Sequence, residues 1–375
     1  MSDHLADPIR QKFASARRDL SAALIDRDDE IDLALTALVA GEHVLLVGPP
    51  GTAKSLLLDA VARFLDGKRF ACLLTKFTQP DELFGPVSLA GLREDRFVRV
   101  TAGRLPEADV AFLDEVFKAS SAILNTLLKI LNERTFDDGS GVSRPVPLRL
   151  CVAASNEWPS AFEGGKELAA VFDRFLFRRP VKPIRSADGR QRLLWGDDAT
   201  PVLSATLTPA ELDRARKTAS ALPWSAEARE ALETVLRELS REGVRPGDRR
   251  QRKAVSAARA YAYLAGAARV EPEHLEVLAS VLWDDPDEQP AVCGRVIARV
   301  ANPPGMRVTA LLVEAEQVLA AVEPRNLTSA ATAAAKLSEI ERQLGSVSAN
   351  GRAERARGHV KEQLRRLKLA SLDAV

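Results

Sequence analysis

Residues 48–55 read Gly-Pro-Pro-Gly-Thr-Ala-Lys-Ser, between an apolar run (HVLLV, 43–47) and an amphipathic stretch. Holding a nucleotide's phosphates requires several backbone N–H groups turned toward one point. Gly48 and Gly51 are small enough to let the main chain wrap around such an anion. A helix is expected to start near Lys54, with its positive end toward the same spot. Lys54 would reach the β and γ phosphates and the Ser55 hydroxyl would ligate Mg²⁺. The expected nucleotide contacts are therefore Gly48, Pro49, Pro50, Gly51, Thr52, Ala53, Lys54 and Ser55. Ala53 stands where the pattern G-x-x-x-x-G-K-[ST] has its second glycine. Because that position opens the helix and alanine is small, the departure is expected to be mild.

Binding is not hydrolysis, and a second stretch supplies what hydrolysis needs. VAFLDEV, 110–116, reads as a buried strand ending in two carboxylates, with Asp114 lying 60 residues after Lys54 (114 − 54). At the strand's carboxyl end Asp114 would hold Mg²⁺ through water, and Glu115 would polarise the attacking water. LCVAASNEWP, 150–159, is another apolar strand, ending in Asn156. An amide there can donate to a γ phosphate or orient water without adding charge; alone, an Asn at a strand end is a turn residue.

These residues need a frame. Between about 28 and 184 short apolar runs (HVLLVG, FACLLT, VAFLDE, LRLCVAAS) alternate with helical periodicity. That pattern predicts an α/β unit, a parallel sheet between helices. From about 207 the strands vanish. Thr208-Pro209 and Ser225 open helices, RRQRKAVSAARAYAYLAG continues a third, and Glu271-Pro272 opens a fourth ending near DDPDEQP, together an all-α unit. Beyond Pro303-Pro304-Gly305 come three helical stretches. Val308, Leu311, Ala315, Val318 and Val322 form one seam, Ala333, Leu337, Ile340 and Leu344 another, as packed helices require. The expected division is 1–190, 200–290 and 300–375.

The whole chain narrows the choice of partners. It has 375 residues, 46% hydrophobic and 28% charged, with net charge +1, so nothing in bulk draws it to nucleic acid or membrane. The longest charge-free run, 199–210, is too short to span a bilayer. The first ten residues lack the apolar core of a signal peptide, so a cytoplasmic protein is expected. Cys72, Cys151 and Cys293 are far apart and read as small buried hydrophobes, and the four histidines never cluster. The last stretch, from Arg352 to about Leu369, has seven Lys/Arg against two Glu. Without interleaved aromatics it reads as a solvated face before a nucleic-acid patch.

In order and spacing, GPPGTAKS, FTQPDELFGPVSL, RLPEADVAFLDEVFKASSAILNTLLKILNERTF and AASNEWP resemble the MoxR family of AAA+ ATPases, and within it the RavA-like branch. The likeness covers about residues 20–285. It implies a P-loop AAA+ domain, an all-α lid, ATP and Mg²⁺ as ligands, and a ring, by expectation a homo-hexamer. Lys54 and Ser55 resemble the Walker A pair, Asp114 and Glu115 the Walker B pair, Asn156 sensor 1. Arg174, in VFDRFLFR, resembles the arginine finger reaching a neighbouring subunit's nucleotide, with Arg134 competing. Arg249, at the head of a lid helix, resembles sensor 2, which clamps the nucleotide from the lid, with Arg250 competing. Residues 84–106 resemble the family's pore-facing hairpin insertion. RavA's added β-containing C-terminal module has no counterpart in the three closing helical stretches. The implied work is remodelling or maturing protein complexes, often with a von Willebrand factor A (vWA) domain partner. Two other readings remain open: a DNA-directed motor, since 241–259 carries seven Lys/Arg against two Asp/Glu, and a nucleotide-gated scaffold, against which Glu115 argues.

Overall fold

The computed structural model describes residues 7–158, 165–184, 186–196, 201–322, 327–347 and 351–372. Two helices lead in, α1 (Pro8–Ala23) and α2 (Asp28–Ala40). Asp7 caps α1, accepting from Ile9 N at 3.0 Å, with Pro8 at the first helical position, where its missing N–H costs nothing. Then come β1 (Val44–Val47), α3 (Lys54–Phe64), β2 (Arg69–Leu73), the one-turn α4 (Pro80–Phe84) and α5 (Leu89–Leu92), β3 (Val110–Asp114) and α6 (Ser121–Glu133). A small hairpin follows, β4 (Thr135–Asp137) with β5 (Ser143–Pro145). After it lie β6 (Leu150–Ser155), α7 (Gly165–Arg174), β7 (Phe177–Pro180) and α8 (Ala187–Trp195).

The main sheet has order β2-β3-β6-β1-β7, and every pairing is parallel. β1 and β6 are buried at every position, as central strands covered on both faces must be. The parallel arrangement puts the carboxyl ends of β1, β3 and β6 at one edge, where ligands of open α/β sheets bind.

All four strand-like runs of the sequence form sheet strands. A fifth strand, β7, was hidden where VFDRFLFR runs into Arg179-Pro180: α7 stops at Arg174 and β7 starts three residues later. Two arginines in a four-residue strand masked it. Residues 86–100 form a narrow hairpin, with Val87 bridged antiparallel to Arg99 and α5 near its tip. Arg99 N donates to Asp138 O, 2.8 Å, seating the insertion on the β4–β5 hairpin.

The all-α part begins with α9 (Pro209–Ser220), opened by Thr208 and Glu211 in reciprocal capping bonds. It continues with α10 (Ala226–Arg241), capped by Ser225, and α11 (Asp248–Leu264). Glu271-Pro272 opens a 3₁₀ run, Pro272–Ser280, rather than the expected α-helix, and a further helix, α12 (Gln289–Ala301), follows that the sequence reading did not anticipate. One hydrophobic core runs unbroken from Ile9 through the sheet to Ala301. The last three helices, α13 (Pro303–Ala320), α14 (Leu327–Ser346) and α15 (Gly351–Leu372), enclose a separate core built on Val308, Leu311, Ala315, Leu337, Ile340, Leu344, Val360 and Leu364. Among the described residues no helix is long and apolar enough to cross a membrane.

Candidate nucleotide site

β1 ends at Val47 and the chain turns out of the sheet. Gly48 passes so near the end of β7 that a Cβ there would sit 2.2 Å from the Val181 carbonyl oxygen, which leaves room for glycine alone. Gly51, at φ 77°, adopts the left-handed conformation glycine takes freely. Ala53 caps α3 at φ 60°, ψ 23°. This corrects the expectation of a mild departure: the position is left-handed, and a Cβ there strains the backbone by about 1–2 kcal/mol. Within the loop Thr52 Oγ1 donates to Pro49 O at 2.9 Å. From the turn before α2, the buried Arg27 donates through Nε to Thr52 O, 3.0 Å.

Lys54 opens α3 and folds over the loop. Its ammonium donates to Gly48 O (2.6 Å), Pro49 O (2.9 Å) and Asn156 Oδ1 (3.2 Å). Burial lowers its pKa, opposed by the carboxylates of Asp114 and Glu115. One residue on, Ser55 Oγ donates to Asp114 Oδ2 at 3.3 Å. A hydroxyl beside a carboxylate is the hard oxygen pair that Mg²⁺ takes, its remaining positions going to water and phosphate.

Asp114 and Glu115 are adjacent yet face apart, because β3 ends in a sharp turn with Glu115 at φ 54°. Asp114 Oδ1 accepts from Glu115 N, 3.0 Å. The Glu115 carboxylate, 8% exposed, accepts from Asn156 Nδ2 and lies 3.3 Å from Lys118 Nζ. Asn156, just past β6, thus bonds Lys54 through its oxygen and Glu115 through its nitrogen. Lys54, Ser55, Asp114, Glu115 and Asn156 converge at the carboxyl edge of three neighbouring strands.

The arginines do not join them. Arg174 is folded on the carboxylate of Asp173, Nη1 to Oδ2 2.9 Å. Arg249 is exposed and donates to Asn132 Oδ1 on α6. The neighbouring Leu131 carbonyl lies 3.2 Å from His43 Nε2, just before β1. From His43 to Gly48 the strand runs about 16 Å, so Arg249 lies at the opposite edge of the sheet. The expected clamp on this chain's own nucleotide is therefore not formed. The competitors are committed elsewhere. Arg134 packs on His43 and donates to Leu131 O (2.8 Å) and Gly41 O (3.2 Å). Arg250, 4% exposed, donates to Val281 O (2.9 Å) and Leu176 O (3.2 Å) and pairs with Asp173 and Asp284, each at 3.0 Å. Along 241–259, Arg241, Lys253 and Arg259 also bond within the chain, to Glu238, Glu42 and Leu222 O, which spends most of the positive stretch internally.

Sequence reasoning missed Arg27, Lys118, Asp173 and Arg178. Arg27 and Asp173 act through hydrogen bonds to groups that the fold brings to them from far along the chain, and Lys118 through an ion pair with Glu115 three residues before it. Arg178, 1% exposed, had a signal in retrospect, a cation between Phe177 and Arg179 in an otherwise strand-like run. It donates to Phe172 O (3.0 Å), Phe175 O (2.9 Å) and Trp283 O (2.7 Å) and lies 3.8 Å over the Phe172 ring. Burial first, then Arg250, lowers its pKa to about 9, still cationic at neutral pH.

A parallel sheet carrying a phosphate loop, paired carboxylates and a polar strand-end residue, followed by a helical lid, defines an AAA+ ATPase. Residues 11–209 match the family model described as the MoxR domain in the MoxR-vWA-beta-propeller ternary systems, and residues 228–296 match an AAA lid domain. The chain belongs to the MoxR family. An uncharacterized protein of Methanocaldococcus jannaschii is 40% identical over 295 residues, 78% of this chain and 76% of its own length. The protein MoxR of Methylorubrum extorquens is 29% identical over 249 residues, 64% of this chain and 70% of its own. A crystal structure from Cytophaga hutchinsonii, whose ATPase activity is itself an assignment, superimposes with a TM-score of 0.62 at 18% identity, covering 78% of this chain and 95% of that one. At that identity the likeness is one of fold.

Proposed function

We propose that this MoxR protein hydrolyses ATP with Mg²⁺, in a closed ring of identical subunits and by expectation a hexamer, to remodel or mature protein complexes in the cytoplasm. The observation that carries the reading is the convergence of Lys54, Ser55, Asp114, Glu115 and Asn156. Backbone N–H groups of 48–55 and the Lys54 ammonium would hold the β and γ phosphates, Lys54 exchanging its carbonyl partners for phosphate oxygens. Ser55 and Asp114 would hold Mg²⁺, which neutralises charge on the phosphates. Glu115 takes the proton of the attacking water, with Asn156 keeping carboxylate and γ phosphate in register. Arg174 is assigned to the adjoining subunit's nucleotide, which requires a head-to-tail ring. Arg249 cannot serve its own chain's nucleotide from where it sits, so any nucleotide role falls to an adjoining subunit. The family's description supports a protein with a vWA domain as partner.

The test is turnover by Glu115→Gln, which keeps shape and loses the base. The expected result is ATP binding retained and hydrolysis lowered by about 10²–10⁴-fold. Equal turnover by both proteins would remove Glu115 from the mechanism. Sizing with saturating nucleotide checks the ring: a monomer throughout contradicts Arg174 acting between subunits.

A further inference from the structure

Asp173 stands among three arginines from different parts of the molecule. Its Oδ2 accepts from Arg174 Nη1 at 2.9 Å. Its Oδ1 accepts from Arg250 Nη2 of α11 at 3.0 Å, with Arg178 Nη2 of β7 at 3.8 Å. The Oδ1 side is rigid. Arg250 and Arg178 are both buried, and each is fixed by backbone carbonyls of the 172–176 segment and of the stretch after the 3₁₀ run. Arg174 is not fixed in this way: Asp173 is its one bonded partner among the described residues, and its Nε is buried without an acceptor. One oxygen of the carboxylate is thus anchored to the body of the protein while the other holds a single side chain.

We propose that Asp173 is a positioning residue that holds Arg174 back along its own helix, so that a neighbouring subunit's phosphate must win the guanidinium from it before hydrolysis. This rests on the reading of Arg174 as the cation offered between subunits. Asp173 Oδ2 takes Nη1 of the guanidinium, so a bidentate phosphate contact that uses Nη1 requires that bond to be given up. Asp173 cannot follow Arg174 outward, since Arg250 and Arg178 keep its other oxygen in place. The unsatisfied Nε marks the held arrangement as incomplete: a buried donor without an acceptor favours a state that supplies one.

The test uses the full chain and three variants: Asp173→Asn, Arg174→Ala and the double variant. Asparagine keeps an oxygen for Arg250 and turns an NH₂ toward Arg174, so it removes the one bond at issue; Asp173 is half-exposed, and thermal melting checks that the fold is kept. Asp173→Asn is expected to raise kcat about three- to fivefold, the population shift from removing one half-exposed ion pair, with KM for ATP unchanged. Arg174→Ala is expected to abolish turnover alone and in the double variant. An unchanged or lowered kcat in Asp173→Asn, with Arg174→Ala inactive, overturns the proposal and leaves the role of Arg174 standing. A rise that persists in the double variant also overturns it. Turnover by Arg174→Ala equal to wild type overturns the role of Arg174 and the proposal with it.

Discussion

Arg27 shows how a residue remote in sequence shapes the phosphate loop. Its guanidinium donates to Thr52 O and to Asp26 O (2.7 Å), so the Thr52 carbonyl is held toward the turn before α2. Removing one partner of a buried hydrogen bond costs about 1–3 kcal/mol. Arg27→Met is therefore expected to weaken ATP binding about tenfold with little change in kcat, measured by nucleotide titration and saturation kinetics. At this scale the residues of the candidate nucleotide site were legible. Lys54, Ser55, Asp114, Glu115 and Asn156 announce themselves by type and by position at strand ends, and the fold brings them together. Arg27 and Asp173 were not legible, because an arginine before a helix or an aspartate late in one has no distinctive spacing; its meaning lies in a carbonyl or a guanidinium that only folding delivers. Arg174 and Arg249 were named from likeness to a family, and the structure separates both from this chain's own phosphate loop.

Among the elements, α6 is tied to the sheet through one histidine. His43, fully buried, accepts from Cys151 N at Nδ1 (2.9 Å), so Nε2 carries the proton facing Leu131 O (3.2 Å). Burial first, then the Arg134 guanidinium, holds its pKa well below 6.5. Above pH 6.5 both folded and unfolded states are neutral and the stability is fully present. As pH falls below it the unfolded chain takes up a proton the folded one refuses, and stability drops by up to about 1.4 kcal/mol per pH unit. His274, also lowered by burial, adds to the same limb. Urea unfolding between pH 7.5 and 5 is expected to show this decline. His43→Asn, less stable at neutral pH, should have a flatter one. Elements with long periodic patterns or marked caps were readable in advance, such as α9 with Thr208-Pro209. β7 and α12 were not. A four-residue strand with two arginines gives no alternation to read, and the Asp/Pro-rich stretch before Gln289 reads as an end although a helix begins there.

Over the whole molecule, among the described residues the last three helices share no buried residue with the main core. Asn302 marks the seam, accepting from Gly305 N (2.7 Å) to cap α13 and donating to Glu276 Oε1 (2.7 Å). A chain ending at Asn302 should then keep its ATP turnover and shift its main melting transition by less than about 2 °C. A collapse of either would show that the bundle braces the lid. The succession of an α/β unit, an all-α unit and separate closing helices was visible from where apolar runs gave way to seams of three and four. That lid and sheet share one core was not, since no local pattern reports which faces meet. The close approach of Gly48 to Val181 has a mechanical consequence. Val181, the first residue past β7, lies against the mouth of the phosphate loop with no slack of even one methyl group, so a shift of Val181 toward the loop has to displace it. On the proposed reading of the protein as a remodelling motor, a client resisting the pull would slow it at the nucleotide itself, and turnover would fall as the load rises.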